Sequence, residues 1–313
     1  MSARIDEVPA LDAKLTAAVV ALTRDAPEAA DNPPISERGL LQLRSSRPVR
    51  HLVAWSDPQS ELATESADPD GGERLIGYAQ LDGAGTVPSA ELVATDPSTA
   101  AALLAKVAEL ASDSGVLLWA HGEASAANQA ALRAGLVPQR SLLQLRRGLA
   151  DLSPNEPTLP AGVRLRPFEI GRDEQAWLAV NGRAFASHPE QGSWTERDLA
   201  ERLSATWFDP AGFLLAERDG ASGPELVGFH WTKVHPAIGT SEPLGEVYVL
   251  GIDPAAQGLR LGTALLDAGL RHLRSAGLST VLLYVDESNS AAVHLYARAG
   301  FTVFATDIQY SPR

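Results

Sequence analysis

One segment carries residue types whose order could do chemistry: Glu246-Val-Tyr-Val-Leu-Gly-Ile-Asp-Pro-Ala-Ala-Gln-Gly-Leu-Arg-Leu-Gly-Thr-Ala-Leu-Leu266. It reads as strand, turn, loop and helix. Asp253-Pro254 ends the strand, because proline cannot join a ladder, and Gln257-Gly-Leu-Arg-Leu-Gly262 opens the helix. Glycines let backbone approach a ligand, and the N–H groups of a first helical turn lack intrahelical partners. Those donors and the helix dipole together bind phosphate, and Arg260 adds a cation. The spacing is neither a P-loop, which ends in Gly-Lys-Ser/Thr, nor a dinucleotide fingerprint. The segment therefore predicts a pyrophosphate site.

Other chemistries find less support. The chain has no cysteine, which removes disulfides, thiolate zinc sites, iron–sulfur clusters and a cysteine nucleophile. Its seven histidines show no metal-ligand spacing. His230 and His235 share no face of a regular element, so both read as structural and no metal is expected. No serine, histidine and aspartate constellation stands out.

The frame around this loop follows from composition. The 313 residues fit about two domains. With 26 Lys+Arg against 39 Asp+Glu, the net charge of −13 repels phosphate backbones, so no nucleic-acid partner is expected. The start, Met1-Ser-Ala-Arg-Ile-Asp-Glu, lacks the apolar core of a signal peptide. No apolar run approaches the ~20 residues that span a bilayer, and Ala17–Leu22 is far too short. A soluble cytoplasmic protein without membrane attachment is the default expectation.

Leu149-Ala-Asp-Leu-Ser-Pro-Asn-Glu-Pro-Thr-Leu-Pro-Ala-Gly162 reads as a proline-rich linker. It divides an N-terminal domain, 1–150, from a C-terminal one, 160–313. The polar insert Ser56–Glu73 reads as a hairpin loop. The halves echo each other. Leu75-Ile-Gly-Tyr78 matches Leu226-Val-Gly-Phe229, and Val93-Ala-Thr-Asp-Pro97 matches Leu250-Gly-Ile-Asp-Pro254. Val116-Leu-Leu-Trp119 matches Val281-Leu-Leu-Tyr284, and Ala134-Gly-Leu136 matches Ala299-Gly-Phe301. A period this long, with two copies, indicates a duplicated α/β domain rather than a solenoid.

In the second half the patterning predicts strands over 163–168, 212–218, 225–234, 245–252, 280–286 and 301–310. Helices are predicted over 173–185, 194–204, 259–275 and 289–299. Ala176, Trp177, Val180 and Phe185 mark the inner face of the first helix. Leu261, Leu265, Ala268 and Leu273 mark that of the third. Thr195-Glu-Arg-Asp198 fits a capping box, and Gly300 is the expected glycine after the last helix.

Gln257-x-x-Arg-x-Gly262 after a strand resembles the acetyl-CoA loop of GNAT-type N-acetyltransferases, Gln/Arg-x-x-Gly-x-Gly/Ala, with Arg260 where that pattern has its middle glycine. Tyr284-Val-Asp-Glu-Ser-Asn289 and Ala291-Ala-Val-His-Leu-Tyr-Ala-Arg-Ala-Gly-Phe301 resemble the family's Asn…Ala…Tyr…Gly-Phe signature, in the same order. The resemblance implies two tandem GNAT-type domains, each a mixed central sheet flanked by helices. It implies acetyl-CoA as co-substrate in a splay between parallel strands. Leu250, Gly251 and Ile252 would hold the acetyl carbonyl and pantetheine, with the Leu250 N–H as oxyanion donor. Gln257, Gly258, Leu259, Arg260, Leu261, Gly262 and Thr263 would hold the pyrophosphate. Asn289, Ser290, Ala291, Ala292, Val293 and His294 would line the far side.

A tandem chain with His188-Pro-Glu-Gln-Gly192, Gly228-Phe-His-Trp-Thr-Lys-Val-His235 and Gly245-Glu-Val-Tyr-Val249 resembles, more narrowly, the branch that acetylates the cysteinyl amine of a cysteine–glucosamine–inositol conjugate. The partner is then a small thiol-containing amino sugar, and a monomer suffices. On that resemblance Glu246 receives the amine's proton, directly or through water, and Tyr296 protonates the departing thiolate. An α-amine titrates near ~8, so a mild base is enough. Glu37, Glu190, Lys233 and Tyr284 join Glu246 around the acceptor.

Each residue also has a plainer reading. Glu246 fits a strand-edge surface carboxylate, Tyr296 and Tyr284 core aromatics, Lys233 a solvated strand end, and Glu190 a solvated loop acid. Glu37 fits a first-turn carboxylate behind an N-cap at Ser36. Another amine acceptor (an aminoglycoside, a polyamine or a protein N-terminus) uses the same donor machinery, and a non-catalytic acyl-CoA sensor would keep the loop alone. The first half lacks the loop and the tyrosine, with Ala131 opposite Tyr296 and Ala124 opposite Asn289. It is expected to be catalytically silent, with at most a weak cofactor pocket at Leu92, Val93 and Ala94, so one cofactor per chain is the expectation.

Overall fold

The two copies show up as one order of elements written twice. The structure, a computed structural model, describes residues 3–26, 32–43, 49–56, 73–83, 85, 87–111, 115–153, 157–186, 188, 191–220, 223–237 and 242–313. The first copy runs β1 (Arg4–Val8), α1 (Ala13–Asp25), α2 (Glu37–Gln42), β2 (Val49–Trp55), β3 (Leu75–Asp82), β4 (Ser89–Ala94), α3 (Pro97–Ala111), β5 (Leu117–His121), α4 (Ala126–Arg133) and β6 (Val137–Gly148). The second runs β7 (Val163–Pro167), α5 (Glu174–Ala184), α6 (Glu196–Leu203), β8 (Phe213–Gly220), β9 (Gly223–His235), β10 (Leu244–Ile252), α7 (Leu261–Ser275), β11 (Thr280–Asp286), α8 (Ser290–Arg298) and β12 (Thr302–Ser311).

Two compact units contain these elements: 1–143 with 286–288 and 305–313, and 144–285 with 289–304. In the first, β1 to β4 pair antiparallel and β4 pairs parallel to β5. One sheet face packs Leu52, Leu92 and Leu118 against Leu103 and Val107 of α3, and the other packs Val53, Tyr78 and Val93 with Val19 of α1 and Ile35. The second unit repeats the pattern, with β7 to β10 antiparallel and β10 parallel to β11. Trp177, Phe213, Phe229 and Trp231 fill one side, and Leu261 and Leu265 of α7 pack with Ala216 and Val227 on the other. A sheet with apolar residues on both faces needs helices on both. The expected α/β architecture, a mixed sheet flanked by helices in each half, is the one observed.

The predicted second-half elements all form, within a few residues of the expected ends. Thr195 and Asp198 make the capping box, and Gly300 follows α8 at φ +84°. Trp177 and Val180 are buried, while Ala176 is exposed and Ala268 half-buried. Residues 57–72 of the insert lie outside the described residues. At its ends, Ser56 N donates to Arg74 O at 2.8 Å.

The last strand departs from the expected division. Its residues Asp307, Ile308, Gln309 and Tyr310 pair antiparallel with His121, Ala120, Trp119 and Leu118 of β5, so 305–313 complete the first unit. Residues 144–148 go to the second unit, where Gln144 Nε2 donates to Tyr284 Oη at 2.9 Å. The start of the proline-rich segment is docked there too. Leu149 and Leu152 are buried, and Leu149 N donates to Ser279 O at 2.9 Å. Among the described residues no helix is long and apolar enough to cross a membrane.

Candidate active site

Strand β10 is laddered to β9 from Leu244 to Ile252. Its parallel ladder with β11 comprises only Gly245↔Val281 and Glu246↔Leu282. Beyond Glu246 the two strands diverge, and Leu250, Gly251 and Ile252 lie on the diverging stretch. This is a splay in which backbone donors and acceptors of β10 are free to meet an extended, amide-containing ligand.

The loop that follows is built to leave a helix start open. Asp253 Oδ1 accepts from Ala255 N at 2.9 Å and its Oδ2 from Arg183 Nε at 2.8 Å. Those contacts hold a short 3-10 turn, Pro254–Ala256. Gln257, Gly258, Leu259 and Arg260 are exposed. Gly258 sits at φ +82° and Arg260 at φ +59°; among the described residues Arg260 is the one non-glycine with positive φ. It stands where the loop pattern has a glycine and adopts the backbone that glycine would supply, at a cost of about 1 kcal/mol. Leu261 is buried under α7, Gly262 and Thr263 complete its first turn, and no side chain caps this terminus. A Cβ on Gly258 would meet nothing within 4 Å. Unsealed N–H groups, open space and an arginine fit a pyrophosphate.

Helix α8 starts beside Asn289, whose Oδ1 accepts from Ala292 N at 3.2 Å. Ser290, Ala291 and His294 are exposed, whereas Ala292 and Val293 are half-buried. His294 Nδ1 donates to Ser290 O at 2.6 Å. Tyr296 is buried against Phe301, edge to face with centroids 5.7 Å apart. Burial pushes its phenol up to about 12, so it stays protonated and able to donate at neutral pH.

Glu246 is 7 % exposed, which excludes the surface-carboxylate reading. It faces Lys233 across the β9–β10 pair, and its Oε2 lies 2.6 Å from His235 Nε2. Burial raises the Glu246 carboxyl, but the His235 hydrogen bond and the Lys233 and His235 charges outweigh it and hold it below the usual range. Lys233 is buried as well, not a solvated strand end. Its Nζ stands 4.8 Å from the Trp207 ring centroid and 5.0 Å from that of Tyr248, a cation–π seat. Tyr284 is exposed rather than core.

The fold thus brings Glu246, Lys233 and His235 together. His235 was expected to be structural alone; its link to Glu246 depends on the register of a hairpin, and Lys233-x-His235 facing Glu246 is the only trace of it in the sequence. Glu37 belongs to the first unit, half-buried in the first turn of α2, where Ser36 Oγ accepts from Gly39 N at 3.0 Å. Glu190 lies outside the described residues. Among the described residues no group of three or more His, Asp or Glu is arranged to hold a metal.

Residues 180–301 match the acetyltransferase (GNAT) family model. The chain is 48 % identical to the mycothiol acetyltransferase of Thermobispora bispora, covering 94 % of each. It is 49 % identical to that of Geodermatophilus obscurus, covering 98 % of this chain and 97 % of the other. Among solved structures, a tandem GNAT protein from the clavulanic acid biosynthesis pathway superposes with a TM-score of 0.70 at 18 % identity over 99 % of this chain and 98 % of the other. A GCN5-related N-acetyltransferase from Sphaerobacter thermophilus gives 0.64 at 21 % identity, over 98 % and 95 %. These likenesses place the fold among the tandem GNAT proteins.

Proposed function

Because the chain belongs to the mycothiol acetyltransferase family of GNAT enzymes, we propose that it acetylates the cysteinyl amine of a cysteine–glucosamine–inositol conjugate, giving mycothiol. Acetyl-CoA supplies the acetyl group as an activated thioester. Leu250, Gly251 and Ile252 would hold its acetyl and pantetheine end, residues 257–263 its pyrophosphate, and residues 289–294 the far side of the groove.

The observation that carries the chemistry is the position of Glu246. It is the last β10 residue laddered to β11, immediately before the splay. A carboxylate there can hold the acceptor's ammonium and take its proton, directly or through water, because an α-amine near ~8 needs only a mild base. The Leu250 N–H stabilises negative charge on the acetyl oxygen. Tyr296, kept protonated by burial, gives its proton to the departing thiolate. Lys233 and Tyr284 would complete the acceptor's surroundings, by resemblance. The acidic balance of the chain suits an acceptor that arrives as a cation, and a cytoplasmic monomer is enough for the reaction.

The test mixes the purified protein, acetyl-CoA and the desacetyl conjugate, and follows loss of thioester together with the mass of the product. Acetylation on the cysteinyl nitrogen is the expected outcome. Thioester loss with simple amines but none with this conjugate would overturn the reading.

A further inference from the structure

We propose that His235 is the positioning residue for the Glu246 carboxylate, fixing which of its two oxygens faces the acceptor. The inference rests on the proposed role of Glu246 and goes beyond it by assigning a residue no part of that role requires. Facing a carboxylate, which only accepts, the His235 Nε2 must carry the hydrogen. It donates to Oε2 at 2.6 Å, shorter than an ordinary N–H···O bond, as suits a carboxylate acceptor. The bond commits Oε2 and leaves Oε1 as the oxygen that meets the ammonium.

Burial makes the commitment matter. Glu246 has 9 % of its side chain exposed, so water does little to solvate or reorient it, while the His235 side chain is 37 % exposed. The imidazole therefore spans from the buried carboxylate to solvent. Lys233, opposite Glu246 in the ladder, adds positive charge, with its Nζ over the Trp207 and Tyr248 rings, and His235 makes the hydrogen bond to Oε2. The proton from the ammonium goes to Oε1; the N–H in the His235–Oε2 bond stays on Nε2, and no bond to His235 is made or broken in the transfer.

The experiment is a double-mutant cycle on the full chain, comparing His235→Leu, His235→Gln, Glu246→Gln and Glu246→Gln/His235→Leu by steady-state kinetics. His235→Leu removes the donor and should lower kcat roughly 10-fold to 100-fold, leaving the KM for acetyl-CoA within twofold. His235→Gln places an amide N–H near the same point and should recover most of the loss. In the Glu246→Gln background His235→Leu should add little, because the carboxylate it orients is gone. If Glu246→Gln lowers kcat while His235→Leu does not, or the two losses multiply, the positioning role is overturned and the base role stands. If Glu246→Gln itself leaves kcat unchanged, the base role fails first. Equal losses in His235→Leu and His235→Gln would also overturn the proposal, since any packing defect would then account for both.

Discussion

The two halves use the same Asp-Pro step to opposite ends. After β4, α3 starts at Pro97 itself, and Asp96 turns back on that start. Its Oδ1 accepts from Ser98 N at 2.9 Å and Thr99 N at 3.0 Å, and its Oδ2 from Thr99 Oγ1 at 2.6 Å. The helix terminus is sealed by the chain's own carboxylate. After β10, Asp253 is drawn into a short turn and toward Arg183, and α7 begins only at Leu261, with no side chain on its terminus. The proposed anion site would arise here by moving the carboxylate away from the helix start. Adding a cation is secondary.

A second contrast lies deeper. Each half buries a glutamate beside a histidine. Glu91 lies 3.6 Å from His121 Nε2, and His121 Nδ1 donates to Asp307 Oδ2 at 2.9 Å. The His121 side chain is 7 % exposed and that of His235 37 %, so one cluster is sealed and the other opens to solvent. Both halves also end their last helix with the same backbone bond, Leu136 N to Ala131 O and Phe301 N to Tyr296 O. Only the second places a phenol there. Scaffold and chemistry therefore separate cleanly at a few positions.

Five substitutions test this contrast. The largest effect belongs to His121→Gln, which removes the positive charge between the Glu91 and Asp307 carboxylates and should cost the first unit roughly 3 kcal/mol, read by denaturant unfolding. Burial alone would depress the His121 imidazole, but the Asp307 hydrogen bond and the Glu91 charge raise it from 6.5 to about 10. Its stabilisation is therefore whole below 6.5 and lost as pH rises toward about 10; the variant should lack that alkaline decline. Next, Tyr296→Phe should lower kcat about 100-fold with cofactor KM nearly constant, whereas Ala131→Tyr should create no second activity.

Third, Gly258→Val forces a branched residue to positive φ and should raise the KM for acetyl-CoA about 10-fold through loop strain, with kcat little changed. The smallest is Asp96→Ala, about 1 kcal/mol of stability, with turnover unaffected. Burial works against the Asp96 charge, but bonds from Ser98 and Thr99 hold its carboxyl near about 2. Its contribution should thus be present above 3.8 and vanish as pH falls toward about 2. A rise in the KM for acetyl-CoA in Asp96→Ala as large as that in Gly258→Val would show that the first helix start also serves the reaction.

Local chemistry was legible in the sequence, and long-range pairing was not. Strand ends at Asp-Pro, the Thr195–Asp198 box and the Gly300 stop are written in neighbouring residues, so the elements formed where expected. The loop from Gln257 to Gly262 was legible because glycine spacing is a backbone requirement. Arg260 showed its conformation only in the structure. His235 with Glu246, and His121 with Glu91 and Asp307, depend on strand register, which hydrophobic alternation constrains but single residues do not announce. The partner of the last strand was hidden for the same reason, since an alternating strand fits any open sheet edge.

That last strand sets an order of events during synthesis. Asn32 donates to Asp307 across 275 residues of sequence, and β5 waits for residues 307–310. A nascent chain emerging from the ribosome can build β1 to β5 early, yet β5 keeps an unsatisfied edge until residues 307–310 have been made. Closing so long a loop is slow. The unit that carries least of the proposed chemistry therefore completes its sheet only after every segment of the second unit has been made.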